Sequence, residues 1–166
     1  MQQNYIDEVK QIKQNCEYNA ETHHVIAIRN KKFSLWLQVI PAIVAAITGA
    51  LVAAGKSPTS LLVLTVLSSV IAAVASILDP NKNYQDHLSA AKNFTVLKHE
   101  ARSLYETFGT RMTDEAFAVA VENIHRRYTD LIKMVPPTDD EAFMKAREKI
   151  QKRIHEPDKD EGGIIL

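Results

Sequence analysis

Two uninterrupted apolar runs dominate the middle of the chain. They cover residues 33–54 and 60–78, and Lys56 in the connection between them is the only charged residue from Phe33 to Leu78. As a helix the first run is about 33 Å long, which is enough to cross the ~30 Å hydrocarbon core of a bilayer. The connection contains Gly, Ser and Pro, which end one helix and start another. The pattern therefore predicts a transmembrane helical hairpin.

Both flanks of the hairpin are charged and show apolar positions at a helical period. We predict helices over residues 4–31 and from about 84 to 108, and two further helices along the apolar stripes at 117–135 and 143–154. No alternating strand pattern occurs in the sequence. The predicted fold class is an all-α membrane protein with a cytoplasmic N-terminal helix, a transmembrane hairpin and a C-terminal helical bundle.

Residues at the predicted helix ends support these boundaries. Gly109 is expected to end the second soluble helix, and Thr113 is expected to cap the next one. Thr138 and Glu141 have the spacing of a capping box for the last helix. The predicted parts of the chain are a cytoplasmic helix at 1–32, the hairpin at 33–78, a cytoplasmic helical region at 79–155 and a flexible tail at 156–166.

The charges beside the apolar runs predict the orientation of the hairpin. Arg29, Lys31 and Lys32 precede the first run and Lys82 follows the second, whereas the connection carries Lys56 alone. Basic residues concentrate on the cytoplasmic side of membrane proteins. We therefore expect a multi-pass membrane protein with both termini in the cytoplasm.

Small and hydroxyl-bearing residues recur along the two apolar runs. Small residues four positions apart allow helix backbones to approach closely in lipid, either within one hairpin or between chains, and the sequence leaves both options open. Because neither run contains a carboxylate, Lys or Arg, a pore would be lined by hydroxyls and small residues and would be weakly selective. The candidate pore or helix-packing residues are Ala45, Thr48, Gly49, Ala53, Thr65, Ser68, Ser69 and Ala72.

The remaining composition gives no indication of catalysis. Basic and acidic residues balance at 20 each, and Cys16 is the only cysteine. No phosphate-binding loop, dinucleotide-binding, serine-hydrolase or zinc-protease motif is present in the sequence. Adjacent His23 and His24 point in different directions on a helix and are weak evidence for a metal site. We expect a protein that is not an enzyme and uses no cofactor or metal.

Two basic clusters are candidate ligand sites. Arg126 and Arg127 lie beside Tyr128, and the last predicted helix carries Lys145 and Arg147 among further cations. Such clusters often form only a solvated helix face. Alternatively, arginine forks match phosphate oxygens and a tyrosine ring stacks on a base, so these residues are also typical of a nucleotide-binding surface.

The order of helices, together with one stretch after the hairpin, resembles the SLATT family of bacterial two-transmembrane effectors. Asp79 and Pro80 end the hairpin, and residues 87–105 read HLSAAKNFTVLKHEARSLY. This stretch is similar to the family's small and aromatic residues followed by an acidic–basic pair. The resemblance implies an inner-membrane effector of antiphage defence that forms a pore or damages the membrane and causes abortive infection.

The resemblance also implies partners. Such effectors are associated with nucleotidyltransferases that make nucleotide or oligonucleotide signals, so we expect a nucleotide or short oligonucleotide ligand that gates the protein. One hairpin cannot enclose an aqueous path, and we expect a homo-oligomer in the lipid bilayer, by analogy a tetramer. Two alternatives are a non-conducting membrane anchor that recruits a partner protein and a holin-like toxin without ligand control.

Overall fold

The computed structural model describes residues 2–55 and 58–155, which are helical without any strand, as predicted for an all-α protein. The predicted tail at 156–166 lies outside the described residues. The elements are α1 (Gln2–Ala53), α2 (Pro58–Leu78), α3 (Pro80–Ser103), a π-helical turn (Leu104–Phe108), a 3-10 turn (Gly109–Arg111), α4 (Asp114–Met134) and α5 (Asp140–His155).

Helix α1 is one continuous helix, although the sequence predicts one helix over 4–31 and another over 33–54. The predicted division follows the change from charged to apolar residues at 33. Backbone hydrogen bonds do not depend on that change, and the residues around 30–33 include neither Gly nor Pro to interrupt them. Two compact units result, one formed by Met1–Ile26 with Asp86–Leu166 and the other by Ala27–Gln85.

The first unit is a helical bundle around a continuous apolar core. The N-terminal part of α1, most of α3 and α4 each contribute one buried stripe, and α5 contributes Ala142, Ala146 and Ile150. Each stripe follows the three- and four-residue spacing of helix packing. The core cluster consists of Val9, Ile12, Cys16, Phe94, Leu97, Ala101, Leu104, Phe117, Val121 and Ile124.

The end of α3 departs from the predicted glycine cap. Gly109 has a φ of −58°, so its backbone is right-handed, and it continues from the π turn into the 3-10 turn. A Cβ at this position would lie 2.9 Å from the Leu104 carbonyl oxygen and 2.9 Å from an atom of the Phe117 ring. Gly109 therefore follows the π turn as its C-cap, and the absence of a side chain lets Phe117 of α4 pack closely.

The caps of α4 and α5 differ in their agreement with the sequence. The Thr113 hydroxyl accepts a 3.3 Å hydrogen bond from the Ala116 amide, as predicted. For α5 the predicted cap at Thr138 is wrong, because the next residue, Asp139, caps the helix. The Asp139 carboxylate accepts the 2.8 Å bond from the Ala142 amide instead, since a carboxylate also interacts favourably with the helix dipole.

The second unit contains the two apolar segments, and both are long and apolar enough to cross a membrane. None of the most apolar stretch of either helix is buried within the structure. The side chains with reduced exposure recur at three- and four-residue spacing and define an intrachain seam. The seam residues are Ser34, Leu37, Pro41, Val44, Thr48 and Leu51 on α1 with Leu61, Leu64, Ser68, Ile71 and Ala75 on α2.

Two positive φ angles mark the ends of the apolar helices. Gly55 ends α1 with a φ of 66°, a conformation that glycine adopts without strain. Asp79 has a φ of 36° between α2 and α3, and its carboxylate accepts a 3.1 Å hydrogen bond from the Lys82 amide. Asp79 therefore both turns the chain and caps α3.

Candidate functional site

The predicted packing residues divide between the intrachain seam and the outer surface of the second unit. Thr48 and Ser68 lie in the seam and are half-buried. The other predicted packing residues are exposed on the described structure, and a Cβ at Gly49 would have no atom within 4 Å. The exposed members of the set are Ala45, Gly49, Ala53, Thr65, Ser69 and Ala72.

This distribution follows from side-chain size. The intrachain seam uses larger residues such as Leu37, Val44, Leu64 and Ile71, which fill the space between two helices. Helices that touched through their small faces would approach more closely than these residues allow. The small residues therefore remain available on the outside of the hairpin.

Most hydroxyls of the apolar segments bond to their own helix. Thr48 donates a 2.8 Å hydrogen bond to the Val44 carbonyl, and Thr65 donates a 2.9 Å bond to the Leu61 carbonyl. Ser69 donates a 2.9 Å bond to the Thr65 carbonyl. These bonds remove the cost of placing a hydroxyl in an apolar environment. The Ser68 hydroxyl in the seam is buried and has no partner among the described residues.

The predicted ligand residues on α4 are largely engaged within the bundle. The Arg127 guanidinium donates two hydrogen bonds to the Glu100 carboxylate of α3. Arg126 is exposed and donates a 3.4 Å bond to the Asn123 side chain. Arg127 is therefore a structural cation and Arg126 a solvated one. This arrangement weakens the prediction that the two arginines together bind a phosphate.

On α5 the predicted residues also behave differently from one another. Lys145 forms a 2.6 Å ion pair with Glu141 on the same helix, and Lys149 forms a 2.8 Å ion pair with Glu21 of α1. Arg147 forms no ion pair within the part of the chain that the structure describes. Among the α5 cations predicted as ligands, Arg147 is thus the one with a free guanidinium.

Arg147 and Tyr128 line one cavity of about 440 Å³ in the bundle. The cavity lies between α1, α4 and α5. It brings together two predicted ligand residues that are distant in the sequence with an aromatic pair, Tyr18 and Phe143, whose ring centroids are 6.0 Å apart. Its described lining is Asn15, Tyr18, Asn19, Tyr128, Phe143 and Arg147; we call it the aromatic pocket.

The chemistry of the aromatic pocket suits a small anionic ligand with a planar ring. Cavities of roughly 300–1,000 Å³ with a few polar groups are typical of small-molecule sites. Arg147 offers a guanidinium to a phosphate, and the rings of Tyr18 and Phe143 offer stacking surfaces. The amides of Asn15 and Asn19 offer donors and acceptors, and the same amides hydrogen-bond to the Tyr128 hydroxyl.

Tyr128 is a positioned part of this pocket rather than a free surface ring. Its ring contacts Phe94 edge-on with centroids 6.5 Å apart. Burial raises the pKa of its hydroxyl, and the charge of Cys16 acts in the same direction, whereas the bonds from Asn15 and Asn19 lower it. Tyr128 therefore keeps its proton near neutral pH. Its ring forms one wall of the aromatic pocket.

Sequence reasoning did not identify Asn15, Tyr18 or Phe143 as site residues. Asn15, Tyr18 and Asn19 are spaced by three and four positions, which places them on one face of a helix. A polar and aromatic helix face beside the core stripe is therefore the sequence feature that indicates this site. Phe143 follows the apolar period of α5, so its pattern alone indicates core.

Comparison of the chain with protein-family models, with curated proteins and with solved structures found no match.

Proposed function

We propose that the protein is an oligomeric membrane protein whose apolar hairpin forms a pore or disrupts the membrane under the control of a ligand of the cytoplasmic bundle. One observation carries the membrane assignment. From Leu35 to Leu78 the hairpin exposes large apolar side chains on its outer surface, among them Trp36 at 63%, Leu62 at 66% and Ile77 at 83%. Water-soluble proteins do not expose such an extended apolar surface, whereas a bilayer covers it.

The outer small residues support the proposed assembly of several chains. A single hairpin supplies two helices, which cannot surround an aqueous path. Ala45, Gly49 and Ala53 form a small-residue row on the outside of α1, and helices of another chain can approach such a row closely. A closed symmetric ring, such as the tetramer expected above, would use the same row in every chain.

The proposed ligand is a nucleotide or short oligonucleotide bound in the aromatic pocket. A base would stack on Tyr18 or Phe143 while Arg147 binds a phosphate. The volume of about 440 Å³ accommodates one nucleotide at a time. A longer ligand would extend from the pocket to the pocket of a neighbouring chain.

The biological setting of the proposal comes from the resemblance to SLATT effectors. It is antiphage defence by abortive infection, with the signal made by a partner nucleotidyltransferase. The basic residues Arg29, Lys31, Lys32 and Lys82 support an orientation with both termini in the bacterial cytoplasm. The bundle would then meet the signal on the side where a nucleotidyltransferase makes it.

Ion flux through liposomes tests the proposed function. Full-length protein is reconstituted at defined protein-to-lipid ratios, and release of a small ion and of a larger dye is measured. Flux that rises more steeply than linearly with protein density is expected, since several chains are needed for each path. An Arg147→Ala variant should conduct but respond less to added nucleotides than the wild type. Absence of flux at every density and with every nucleotide tested contradicts the proposal.

The alternative function is a non-conducting membrane anchor that recruits a partner protein. It is favoured by the hydroxyls of Thr48, Thr65 and Ser69, which bond to backbone carbonyls and so offer little polar lining to a pore. Liposomes distinguish this function, since an anchor gives no flux while still inserting. A holin-like toxin, the third option, would kill cells on expression alone and would ignore nucleotides.

A further inference from the structure

Basic residues collect at the end of the hairpin where its two apolar helices meet the polar parts of the chain. The residues, which we call the basic collar, are Arg29, Lys31, Lys32 and Lys82. All of them are exposed. Within the unit from Ala27 to Gln85 the only acidic residue in the sequence is Asp79. This end of the hairpin therefore carries an excess of positive charge.

The single carboxylate beside the collar already has a structural role. Asp79 accepts a 3.1 Å hydrogen bond from the backbone amide of Lys82 and so caps α3. The side chains of Lys32 and Lys82 form no ion pair with any residue that the structure describes. These two ammonium groups are therefore available to an anion from outside the chain.

Tyr84 brings the two parts of the collar together. The Lys31 ammonium nitrogen lies 5.9 Å from the centroid of the Tyr84 ring, within the range of a cation–π contact. Tyr84 follows Lys82 closely on α3, so this contact places the start of α3 beside α1. Because the ring has no net charge, Lys31 keeps its charge. The cations that precede and follow the hairpin thus form one group.

The outer face of α1 continues from the collar into the apolar segment. Five exposed side chains follow one another at three- and four-residue spacing, which places them on one helix face. They are Lys32, Trp36, Ile40, Ile43 and Ile47. This face lies roughly 140° around the helix from the small-residue row at Gly49, given about 100° per residue. Assembly through the small-residue row therefore leaves it open.

The groups along this face occur in the same order as the groups of a phospholipid. A cation comes first, an indole suited to the membrane interface lies about 6 Å further, and aliphatic side chains follow. A phospholipid likewise has a charged phosphate, an interfacial glycerol region and acyl chains. The excess of cations in the collar favours a headgroup with a net negative charge over a zwitterionic headgroup, which adds a cation of its own.

We propose that the basic collar binds anionic phospholipids, with their phosphates at the collar and their acyl chains along α1 from Trp36 to Ile47. The inference rests on the membrane assignment of the proposed function but needs neither conduction nor a nucleotide. Each cation near a membrane surface increases the affinity for anionic lipid by about fivefold. The protein therefore gathers anionic lipids around itself in a membrane of mixed composition.

Trp36 makes the proposal measurable, since it is the only tryptophan and lies on the proposed lipid face. Full-length protein is reconstituted in phosphatidylcholine vesicles in which a minor fraction of the lipid is brominated phosphatidylglycerol or brominated phosphatidylcholine. Bromine atoms on an acyl chain quench indole fluorescence only at close contact. At equal mole fraction, brominated phosphatidylglycerol should quench Trp36 more strongly. The difference should shrink in about 1 M salt, where the Debye length is roughly 3 Å.

Variants of the collar identify the charges that are responsible. Lys32→Gln/Lys82→Gln should lower the relative binding constant for the anionic lipid by up to about 25-fold, and quenching by brominated phosphatidylcholine should not change. Lys32→Arg/Lys82→Arg should retain the preference, because the charge remains. The matched control is Lys92→Gln/Lys133→Gln, which removes the same charge from exposed positions of the bundle and should behave like the wild type.

The quenching data separate this inference from the membrane assignment. Equal quenching of the wild type by the two brominated lipids overturns the lipid inference and leaves the membrane assignment intact. A full preference in the Lys32→Gln/Lys82→Gln variant also overturns it. Absence of quenching by either lipid places Trp36 outside the bilayer and contradicts the membrane assignment, and with it this inference. The salt series on the wild type does not depend on the folding of any variant.

Discussion

Gly49→Leu is the substitution that separates intrachain from interchain packing in the hairpin. A Cβ at Gly49 meets no atom within 4 Å in the chain itself, so the leucine side chain extends into open space. Within one hairpin we expect no packing cost. A modest gain of up to about 1 kcal/mol in helix stability is expected, because leucine favours a helix more than glycine does.

The same leucine acts differently if a second chain packs on the small-residue row. Forcing extra methylene groups into a close helix contact typically costs about 1–3 kcal/mol. That cost corresponds to a roughly 5- to 150-fold increase in the dissociation constant for each affected contact. The predicted result is a hairpin that still folds and inserts but assembles more weakly.

The assay compares oligomer mass and flux in the same reconstituted samples. Sedimentation in density-matched detergent gives the mass as a function of protein concentration, and liposome flux gives the activity. Val52→Leu is the matched control, because Val52 is 57% exposed on the same helix and already has a branched side chain. If Gly49→Leu has the same mass distribution and flux as wild type and Val52→Leu, the row around Gly49 is not an interface between chains.

Three further substitutions test other parts of the structure. Gly109→Ala should lower the free energy of unfolding of the bundle by roughly 1–3 kcal/mol, measured by denaturant titration, because the added methyl group would lie 2.9 Å from a backbone oxygen and from a ring carbon. Arg147→Ala should weaken nucleotide binding and flatten its salt dependence by up to about 0.7 of a slope unit, whereas Lys145→Ala, which removes a cation already paired on its own helix, should not. Thiol labelling of intact cells should modify Thr59→Cys from outside and leave Thr107→Cys unmodified. The native cysteine should not interfere, since it is buried and burial raises its pKa to about 12; labelling of Thr107→Cys alone would reverse the proposed orientation.

Local features of the fold were predictable from the sequence because their causes are local. The apolar runs are visible as composition, and the Thr113 cap depends on an amide only three residues away. The same local reasoning wrongly predicts a break in α1, because the change of composition at residue 33 does not change the backbone structure. Gly109 was identified as a helix end, but the reason, the close approach of Phe117, depends on tertiary packing.

The candidate site was less predictable because its residues meet through folding. Arg127 pairs with Glu100, which is remote in sequence, so its engagement could not be read from the basic cluster around it. Arg147 was identified only as one cation among several on α5. Lys145 is paired with Glu141 on its own helix. Arg147 instead lines a cavity with Tyr18, Tyr128 and Phe143, which come from three different helices.

The core of the bundle joins the first helix to residues that are synthesised much later. Cys16 packs in one cluster with Phe94 and Phe117, and the whole unit from Ala27 to Gln85 lies between them in the chain. At a synthesis rate of roughly 5–20 residues per second, the apolar stripe of α1 remains without its partners for several seconds. The contacts of the hairpin are local and need no residue beyond Gln85, so the hairpin can pack within that interval. Biosynthesis therefore orders the two units, with the hairpin formed before the bundle closes.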